Sequence, residues 1–383
     1  MLYLKELRCA LLALLILAPV AALFVAESRA QNTEPQNNNR PRRAENLPPP
    51  SPTPPAKPED ETTLHSDEVV RVETNLTNIL FTAADRQKRF VSNLKREDIR
   101  VLEDGVPQQI FTFQPNVDLP LSLAILIDTS GSEERTLPEE KAAARSFLET
   151  VIRENKDEAA IVSFTGEVTL EQGLTGNIGR LRRAIDQVEF VPPSGYIGGG
   201  VVVGGTPPIS GSQQALAGST AIWDAIWATS NEILSDAAEH TRRAIILLTD
   251  GDDTISKMHL QDAINRALKA DALIYAIGIG DRYQFGINEG ALRKITESTG
   301  GRAYFPRNER ELRDSFTQIQ NDMREQYLVA YSSSNKTRDG LYRRVAIEIV
   351  NSETRKENLR LNYRPGYFAK SPDSVQPKGS KKP

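Results

Sequence analysis

The sequence predicts an α/β protein built on a doubly wound, mainly parallel sheet of Rossmann-like type, with a β-rich module formed by the segments that flank it. Three observations lead to this prediction. The central region alternates apolar runs with segments of helical periodicity, as parallel strands joined by helices do. Polar residues follow the apolar runs directly, at the places where such sheets carry their sites. The flanking segments alternate polar and apolar residues, which is typical of strands with one face in solvent.

The apolar runs of the central region predict strands that are buried on both faces. They are Leu121–Ile127, Ala159–Phe164, Ala244–Leu248 and Ala272–Ile279, with Val168–Leu170 as a short antiparallel edge strand. Helices are predicted between and after them at Glu139–Arg153, Ile178–Val188, Thr220–Leu234, Leu260–Leu268, Leu292–Thr299 and Glu309–Gln326. This alternation indicates helices on both faces of the sheet.

The flanks are predicted to supply further strands. Those before the central region are Val69–Val72, Leu76–Thr82, Ile99–Glu103 and Gln108–Phe113, and those after it are Tyr327–Tyr331, Arg344–Val350 and Leu359–Tyr363. Asp104-Gly105 predicts a hairpin whose loop is slightly longer than the tightest one, and Pro365–Phe368 reads as a turn. Neither flank alone is long enough to bury a stable hydrophobic core. We therefore expect either one sandwich with the central domain inserted or two separate small sheets.

The ends of the chain are predicted to lie outside the folded part. Residues 1–30 resemble an export signal, with Lys5 and Arg8 before an apolar run and a small-residue cleavage pattern at its end. The alternative is an uncleaved anchor through residues 9–26. Residues 31–67 hold nine of the 23 prolines and predict an extended linker. The predicted organisation is signal 1–30, linker 31–67, β-rich flank 68–118, central domain 119–326, β-rich flank 327–369 and disordered tail 370–383.

Composition excludes several classes of function. The 383 residues carry 47 Lys and Arg against 51 Asp and Glu, a net charge of −4, which argues against a nucleic-acid binder. One Cys and three His leave no disulfide and little for soft-metal or His-based chemistry. Any metal is therefore expected to be a hard cation bound through oxygen.

Polar side chains that follow the predicted strands meet at one edge of a doubly wound sheet. The first strand runs into Asp128, Ser130 and Ser132 in a D-x-S-x-S loop, a later strand runs into Asp250, and Thr220 begins a helical pattern. Each alone has an ordinary explanation as a helix cap or turn residue. Together they offer carboxylates and hydroxyls that suit a small octahedral cation. Because these residues contribute little negative charge directly, the cation would stay electrophilic and could bind an acidic ligand from outside.

At these residues the chain resembles a von Willebrand factor type A domain, over Leu121 to about Gln326. The matching segments are Ile125–Ser132, Gly218–Ala225 and Leu247–Gly251. The resemblance implies a metal-ion-dependent adhesion site, usually holding Mg²⁺, made of Asp128, Ser130, Ser132, Thr220 and Asp250. It further implies an open metal position that takes a Glu or Asp carboxylate from a partner protein. The arrangement with its flanks also resembles a bacterial group of exported type A-related proteins.

A Gly-rich segment, 192–218, departs from the family pattern directly before Thr220. Two interpretations stay open. The backbone of this segment approaches the edge of the metal site and selects ligands, or the segment is a mobile loop on the protein surface.

The expected function is therefore an exported, metal-dependent protein-binding module of the adhesion type, and not an enzyme. The expected cofactor is Mg²⁺, with Mn²⁺ or Ca²⁺ as alternatives. The expected partner is a protein with an exposed Asp or Glu, with no nucleic acid, and with a membrane only if the N-terminal segment is uncleaved. One alternative is a metal-dependent hydrolase in which Asp252 or Asp253 acts as a base. Another is a structural subunit of a cell-envelope assembly.

Overall fold

The computed structural model describes residues 76–87, 89–115, 117–192, 218–238, 241–280 and 286–371. These residues all belong to one compact unit, Val70–Pro383. The predicted export signal and proline-rich linker, the strand Val69–Val72, nearly all of the Gly-rich segment 192–218 and nearly all of the predicted tail lie outside the described residues.

The predicted strands and helices that fall within the described residues occur in the predicted order, and three short elements that the sequence did not predict are added, at Ala303–Tyr304, Ser352–Lys356 and Gly366–Phe368. The strands are β1 (Leu76–Ala84), β2 (Ile99–Glu103), β3 (Val106–Gln108), β4 (Ile110–Gln114), β5 (Leu121–Asp128), β6 (Glu158–Phe164), β7 (Val168–Thr175), β8 (Arg242–Thr249), β9 (Ala272–Gly278), β10 (Ala303–Tyr304), β11 (Tyr327–Ser332), β12 (Tyr342–Ile349), β13 (Arg360–Tyr363) and β14 (Gly366–Phe368). The α-helices are α1 (Leu137–Val151), α2 (Ile178–Gln187), α3 (Ile222–Ala228), α4 (Leu260–Lys269), α5 (Glu289–Thr299), α6 (Glu309–Arg324) and α7 (Ser352–Lys356).

The central sheet has the strand order β10-β9-β8-β5-β6-β7. All neighbours in it are parallel except β6 and β7, so β7 is the antiparallel edge strand. The chain leaves β5 toward β6 on one side and returns through β8 on the other. The switch point of the sheet therefore lies between β5 and β8, where open α/β sheets form their binding crevice. The predicted fold class is confirmed.

Strand β5 shows why the central runs are apolar throughout. All eight of its residues are buried. Leu123, Ile125 and Ile127 point into one hydrophobic cluster, and Ala124 and Leu126 point into the cluster on the opposite face. Because helices cover both faces, neither set of alternating positions reaches solvent.

Two helices differ from their predicted extents in ways that affect the site. Helix α1 begins at Leu137, two residues before the predicted start, with Pro138 in its first turn. The helix predicted from Thr220 begins at Ile222 and ends at Ala228, where the chain continues as a π turn through Ile233. Thr220 therefore lies in the loop before α3, not inside the helix.

Strands from both flanks interleave in two antiparallel four-stranded sheets, β13-β1-β11-β4 and β14-β12-β2-β3. One hydrophobic cluster takes residues from both sheets, including Phe81, Val101, Tyr327 and Ile347. The stacked rings of Phe81 and Tyr327, with centroids 4.9 Å apart, join the N-terminal and C-terminal flanks within it. The flanks thus share a single core.

The hairpin at Asp104-Gly105 differs from its prediction. Glu103 pairs directly with Val106, so the loop has two residues, and both have positive φ (47° and 84°) as the tightest hairpin turn requires. The predicted strand Gln108–Phe113 is two strands, because β3 pairs with β2 while β4 pairs with β11 in the other sheet. The segment predicted as a turn at Pro365–Phe368 contains β14, which pairs with β12.

The flanking sheets meet the central domain near the N-terminal ends of its strands. Arg364 forms an ion pair with Asp271, which directly precedes β9, and the Asn362 side chain donates to the carbonyl of Gly300 at 2.9 Å. This edge is opposite the one at which β5 and β8 end. Within the described ranges, no helix has both the length and the apolar character needed to cross a bilayer.

Candidate metal centre

Asp128 is the last residue of β5, and its carboxylate is fully buried. Its Oδ1 accepts the backbone N–H of Ser130 at 2.9 Å, and its Oδ2 accepts the hydroxyl of Thr249 at 2.6 Å. Thr249 is the last residue of the neighbouring strand β8. Donors at the ends of β5 and β8, the two strands at the switch point of the sheet, therefore fix the positions of both carboxylate oxygens.

The two serines connect the loop after β5 to the loop after β8. The hydroxyls of Ser130 and Ser132 lie 3.2 Å apart. The Ser132 hydroxyl hydrogen-bonds the carboxylate of Asp250, and Asp250 Oδ1 also accepts the N–H of Asp252 at 3.0 Å. The structure thus brings together four of the five residues that the sequence predicts as ligands.

Thr220, the fifth, is held beside the loop after β8 by its main chain. Its N–H donates to the hydroxyl of Thr254 at 2.8 Å, and its carbonyl accepts the N–H of Thr254 at 2.9 Å. Asp253 fixes the next residues, because its Oδ1 accepts the N–H of Ile222 at 2.8 Å. Thr220 is buried, with 5% exposure.

Two buried acids that sequence reasoning missed complete the centre. Glu133 directly follows Ser132 on a short 3-10 turn, and Glu140 lies in the first turns of α1; both are 0% exposed. Glu133 Oε2 accepts the hydroxyl of Thr136 at 2.6 Å. A sequence signal existed, because Glu140 stands three and seven residues before Ala143 and Phe147 on the apolar face of α1.

Burial dominates the electrostatics of these acids. It raises the pKa of Asp128 to about 7, against the lowering effect of the hydrogen bonds from Thr249 and Ser130. Burial also raises the pKa of Glu140 to about 7. It holds the pKa of Glu133 well above its usual range, with added repulsion from Glu140 and Asp128. The pKa of Asp250 is likewise raised by burial. Without a cation, the site therefore retains protons near neutral pH.

The residues present fit a hard divalent cation. One carboxylate oxygen from each of Asp128, Glu133 and Asp250 lies within 4.8 Å of the other two. Adjacent serine hydroxyls make the set one of oxygen donors, which hard cations prefer. A cation would also compensate buried negative charge that the cluster otherwise carries as protons.

Comparison with known proteins identifies the domain that holds this centre. Two family models, both described as the von Willebrand factor type A domain, match residues 123–252 and residues 209–318. Together they cover the central sheet from β5 onward and its helices. No curated protein sequence matches the chain significantly.

Several solved structures are similar to part of the chain. One is proximal thread matrix protein 1 from the mussel byssus, with 17% identity over 58% of this chain and 51% of that one, and a TM-score of 0.43. A second structure of that protein, with a zinc-occupied metal-ion-dependent adhesion site motif, has 18% identity over 57% of this chain and 49% of that one, and a TM-score of 0.42. The conserved hypothetical protein BatB from Bacteroides thetaiotaomicron has 14% identity, with 53% of this chain and 99% of that one covered and a TM-score of 0.36. The chain spans about half the length of the mussel protein.

The two family matches coincide with the doubly wound sheet and with the loops that carry Asp128, Thr220 and Asp250. Residues 123–318 of the chain therefore form a von Willebrand factor type A domain.

Proposed function

We propose that this chain is an exported, metal-dependent protein-binding module of the adhesion type. It captures an acidic group of a partner protein through a Mg²⁺ held by Asp128, Ser130, Ser132, Thr220 and Asp250. The observation that carries the proposal is the oxygen-only cluster at the switch point, where three carboxylate oxygens lie within 4.8 Å of one another. When bound, the cation supplies an electrophilic position for a carboxylate.

The chain's own residues pre-orient this site before anything binds. Thr249 and the N–H of Ser130 fix the two oxygens of Asp128, while Ser132 and the N–H of Asp252 fix Asp250. Groups that hold metal ligands in this way raise affinity, because less freedom is lost on binding. Ser132 is partly exposed and Asp252 is exposed, so an external carboxylate can approach the site from the side of these two residues.

Export is part of the proposal and rests on the pattern of residues 1–30, with a basic start, an apolar run and small residues before Gln31. Mn²⁺ and Ca²⁺ are the alternative cations, since they accept the same oxygen donors.

A two-stage experiment on the full chain tests this function. Calorimetric titration with MgCl₂ measures cation binding, and immobilised protein is then used to capture proteins from secreted and membrane extracts in Mg²⁺, with elution by EDTA. Asp128→Asn should lose both cation binding and EDTA-eluted capture. Asp252→Asn, an exposed change of the same charge in the neighbouring loop, should keep both. Capture that resists EDTA and survives Asp128→Asn would refute the proposal.

The hydrolase alternative needs a free general base next to the cation. Asp253 Oδ1 instead accepts the N–H of Ile222 and, at 2.6 Å, the hydroxyl of Ser256. That carboxylate therefore anchors the start of α3, which argues against Asp253 as the base. A purely structural subunit would differ in the same experiment, because EDTA would lower its melting temperature without releasing a partner.

A further inference from the structure

Glu133 presents a buried carboxylate oxygen that has no donor among the described residues. Its side chain is 0% exposed, and Oε2 is held by the hydroxyl of Thr136 at 2.6 Å. Its Oε1 receives no hydrogen bond from any described residue. Glu133 also belongs to the group whose oxygens lie within 4.8 Å of those of Asp128 and Asp250. A buried, unpartnered oxygen is costly, so its position next to a cation site needs a physical reason.

The space around this oxygen is kept open by glycine. Gly280 has φ of +150°, and a Cβ there would stand 2.9 Å from the Cβ of Asp250 and 3.7 Å from Oε1 of Glu133. A side chain at 280 would therefore press on Asp250 from the side that Glu133 faces. Because Gly280 has no side chain, the carboxylates of Asp250 and Glu133 can occupy the same small volume.

The separations suit one cation. Two oxygens on opposite sides of Mg²⁺ are about 4.2 Å apart, and on opposite sides of Ca²⁺ about 4.8 Å apart, since each is twice the metal–oxygen distance. The three carboxylate oxygens lie within 4.8 Å of one another, which matches the Ca²⁺ separation, whereas Mg²⁺ would require them to lie closer together. Only small movements would be needed for all three to ligate one ion.

The charges around Glu133 also favour a cation. The groups that act most on it besides burial are Glu140 and Asp128, both of which are acids. Glu140 is itself 0% exposed, and neither of its carboxylate oxygens has a hydrogen-bond partner among the described residues. The cluster has more carboxylates than a single partner-binding divalent site requires.

We propose that Glu133 is an internal carboxylate ligand of this site and fills the position that a partner's acidic group would otherwise take. With the five residues predicted as ligands, Glu133 would bring the number of oxygen donors to six, the number that an octahedral cation takes. This inference rests on the proposed function and specifies its regulation: the site is closed by its own glutamate, and a partner carboxylate binds only by displacing Glu133.

The test uses Mn²⁺ as the cation and acetate as the external carboxylate, with the full chain. Calorimetry measures the Mn²⁺ affinity of the unchanged protein, of Glu133→Gln and of Glu139→Gln. Glu139 is an exposed residue in the first turn of α1, so its change removes the same charge at a position outside the site. We expect Glu133→Gln to weaken Mn²⁺ binding about tenfold or more, as loss of a charged ligand does, and Glu139→Gln to leave it within about twofold.

Access of acetate is then read from the proton relaxation of its methyl group at saturating Mn²⁺. The unchanged protein and Glu139→Gln should relax acetate weakly, because Glu133 occupies the position. Glu133→Gln should relax it several times more strongly. Melting curves in EDTA show whether each variant is folded, and we expect Glu133→Gln to melt at a higher temperature because it removes a crowded acid.

The outcomes separate the two proposals. If the unchanged protein binds Mn²⁺ but Glu133→Gln binds it equally well, or if acetate relaxation is strong and equal in both, the role of Glu133 is refuted and the proposed function stands. If neither binds Mn²⁺, the proposed function fails and this inference fails with it. Should Glu133→Gln be unfolded, Glu133→Asp, which keeps the charge and shortens the reach, must show the same two changes or the inference is overturned.

Discussion

The hydroxyl of Thr249 donates a 2.6 Å hydrogen bond to Oδ2 of Asp128, and so joins the ends of the two central strands at the switch point of the sheet. Thr249 Oγ1 also accepts the N–H of Gly251 at 3.1 Å. One buried hydroxyl therefore orients both the carboxylate at the end of β5 and the loop that carries Asp250. The position of the candidate ligands depends on the sheet itself, and not only on the loops.

This relationship predicts the effect of Thr249→Val. The valine keeps the volume but leaves Oδ2 of Asp128 without its donor and the N–H of Gly251 without its acceptor. We expect a loss of about 1–3 kcal/mol in the free energy of unfolding and a loss of about tenfold in Mg²⁺ affinity. Urea denaturation and calorimetry measure the two effects. Thr249→Ser keeps the hydroxyl and is the control; equal behaviour of the two variants would contradict the role assigned to this bond.

The buried acids predict an unusual dependence of stability on pH. The pKa of Asp128 and that of Glu140 are raised to about 7, so the folded chain holds protons that the unfolded chain releases above about pH 4. Stability without metal is therefore highest below the unfolded pKa and falls as pH rises toward 7. Melting temperatures in EDTA should decrease from pH 5 to pH 8, and saturating Mg²⁺ should oppose the decrease.

Two variants test whether the buried acids cause this decrease of the melting temperature with pH. Asp128→Asn removes one of the titrating groups and should flatten the dependence on pH, whereas Glu139→Gln should leave it unchanged. A melting temperature that rises from pH 5 to pH 8 in EDTA would show that these acids are not protonated in the folded state.

Asp253 predicts a coupling between the loop after β8 and the residue before α3. Its carboxylate accepts the N–H of Ile222, and Thr254 next to it holds the main chain of Thr220. Asp253→Ala should cost about 1–2 kcal/mol, as the loss of a helix cap does, and should weaken Mg²⁺ binding because Thr220 is less well placed. Thermal unfolding and calorimetry give both values. Asp252→Ala, in the same loop but exposed, should change neither by a comparable amount.

Much of the central domain was readable from the sequence, because its signals are local. A strand buried on both faces must be apolar along its whole length, and the polar residue at which it ends marks the edge of the sheet. That reasoning predicts that Asp128 and Asp250 lie at one edge of the sheet; in the structure their strands are neighbours, and Ser132 connects the two acids. The role of the five residues as metal ligands is still a prediction.

What the sequence did not predict depends on non-local contacts. Gln108–Phe113 alternates like one strand, yet β4 takes its partner β11 from more than two hundred residues further along, so the segment divides between two sheets. Glu133 looks like an ordinary surface acid in a charged stretch, and the only sequence signal for Glu140 is its spacing to the apolar face of α1. In the structure both side chains are 0% exposed.

The β-rich module depends on a buried ion pair whose partners come from opposite flanks. Glu103 is 2% exposed and Arg343 is 4% exposed, with 3.4 Å between Oε1 and the nearest guanidinium nitrogen. The hydroxyls of Tyr331 and Tyr367 each donate to Glu103 Oε2 at 2.8 Å. Arg343 also donates to the hydroxyl of Ser333 at 3.0 Å. The network therefore links strands from both sheets.

Arg343→Met should destabilise the protein by about 3–5 kcal/mol, because it leaves Glu103 charged, buried and without its cation. Arg344→Met, a change of the same kind at the exposed neighbouring position, should cost less than about 0.5 kcal/mol. Urea denaturation gives both values. Adding Glu103→Gln to Arg343→Met should recover part of the loss, since the unpaired charge is then removed. Mg²⁺ affinity should stay unchanged throughout, because the module contacts the edge of the central sheet opposite the site. A double variant as unstable as the single one would show that packing of the arginine stem, and not the unpaired charge, accounts for the loss.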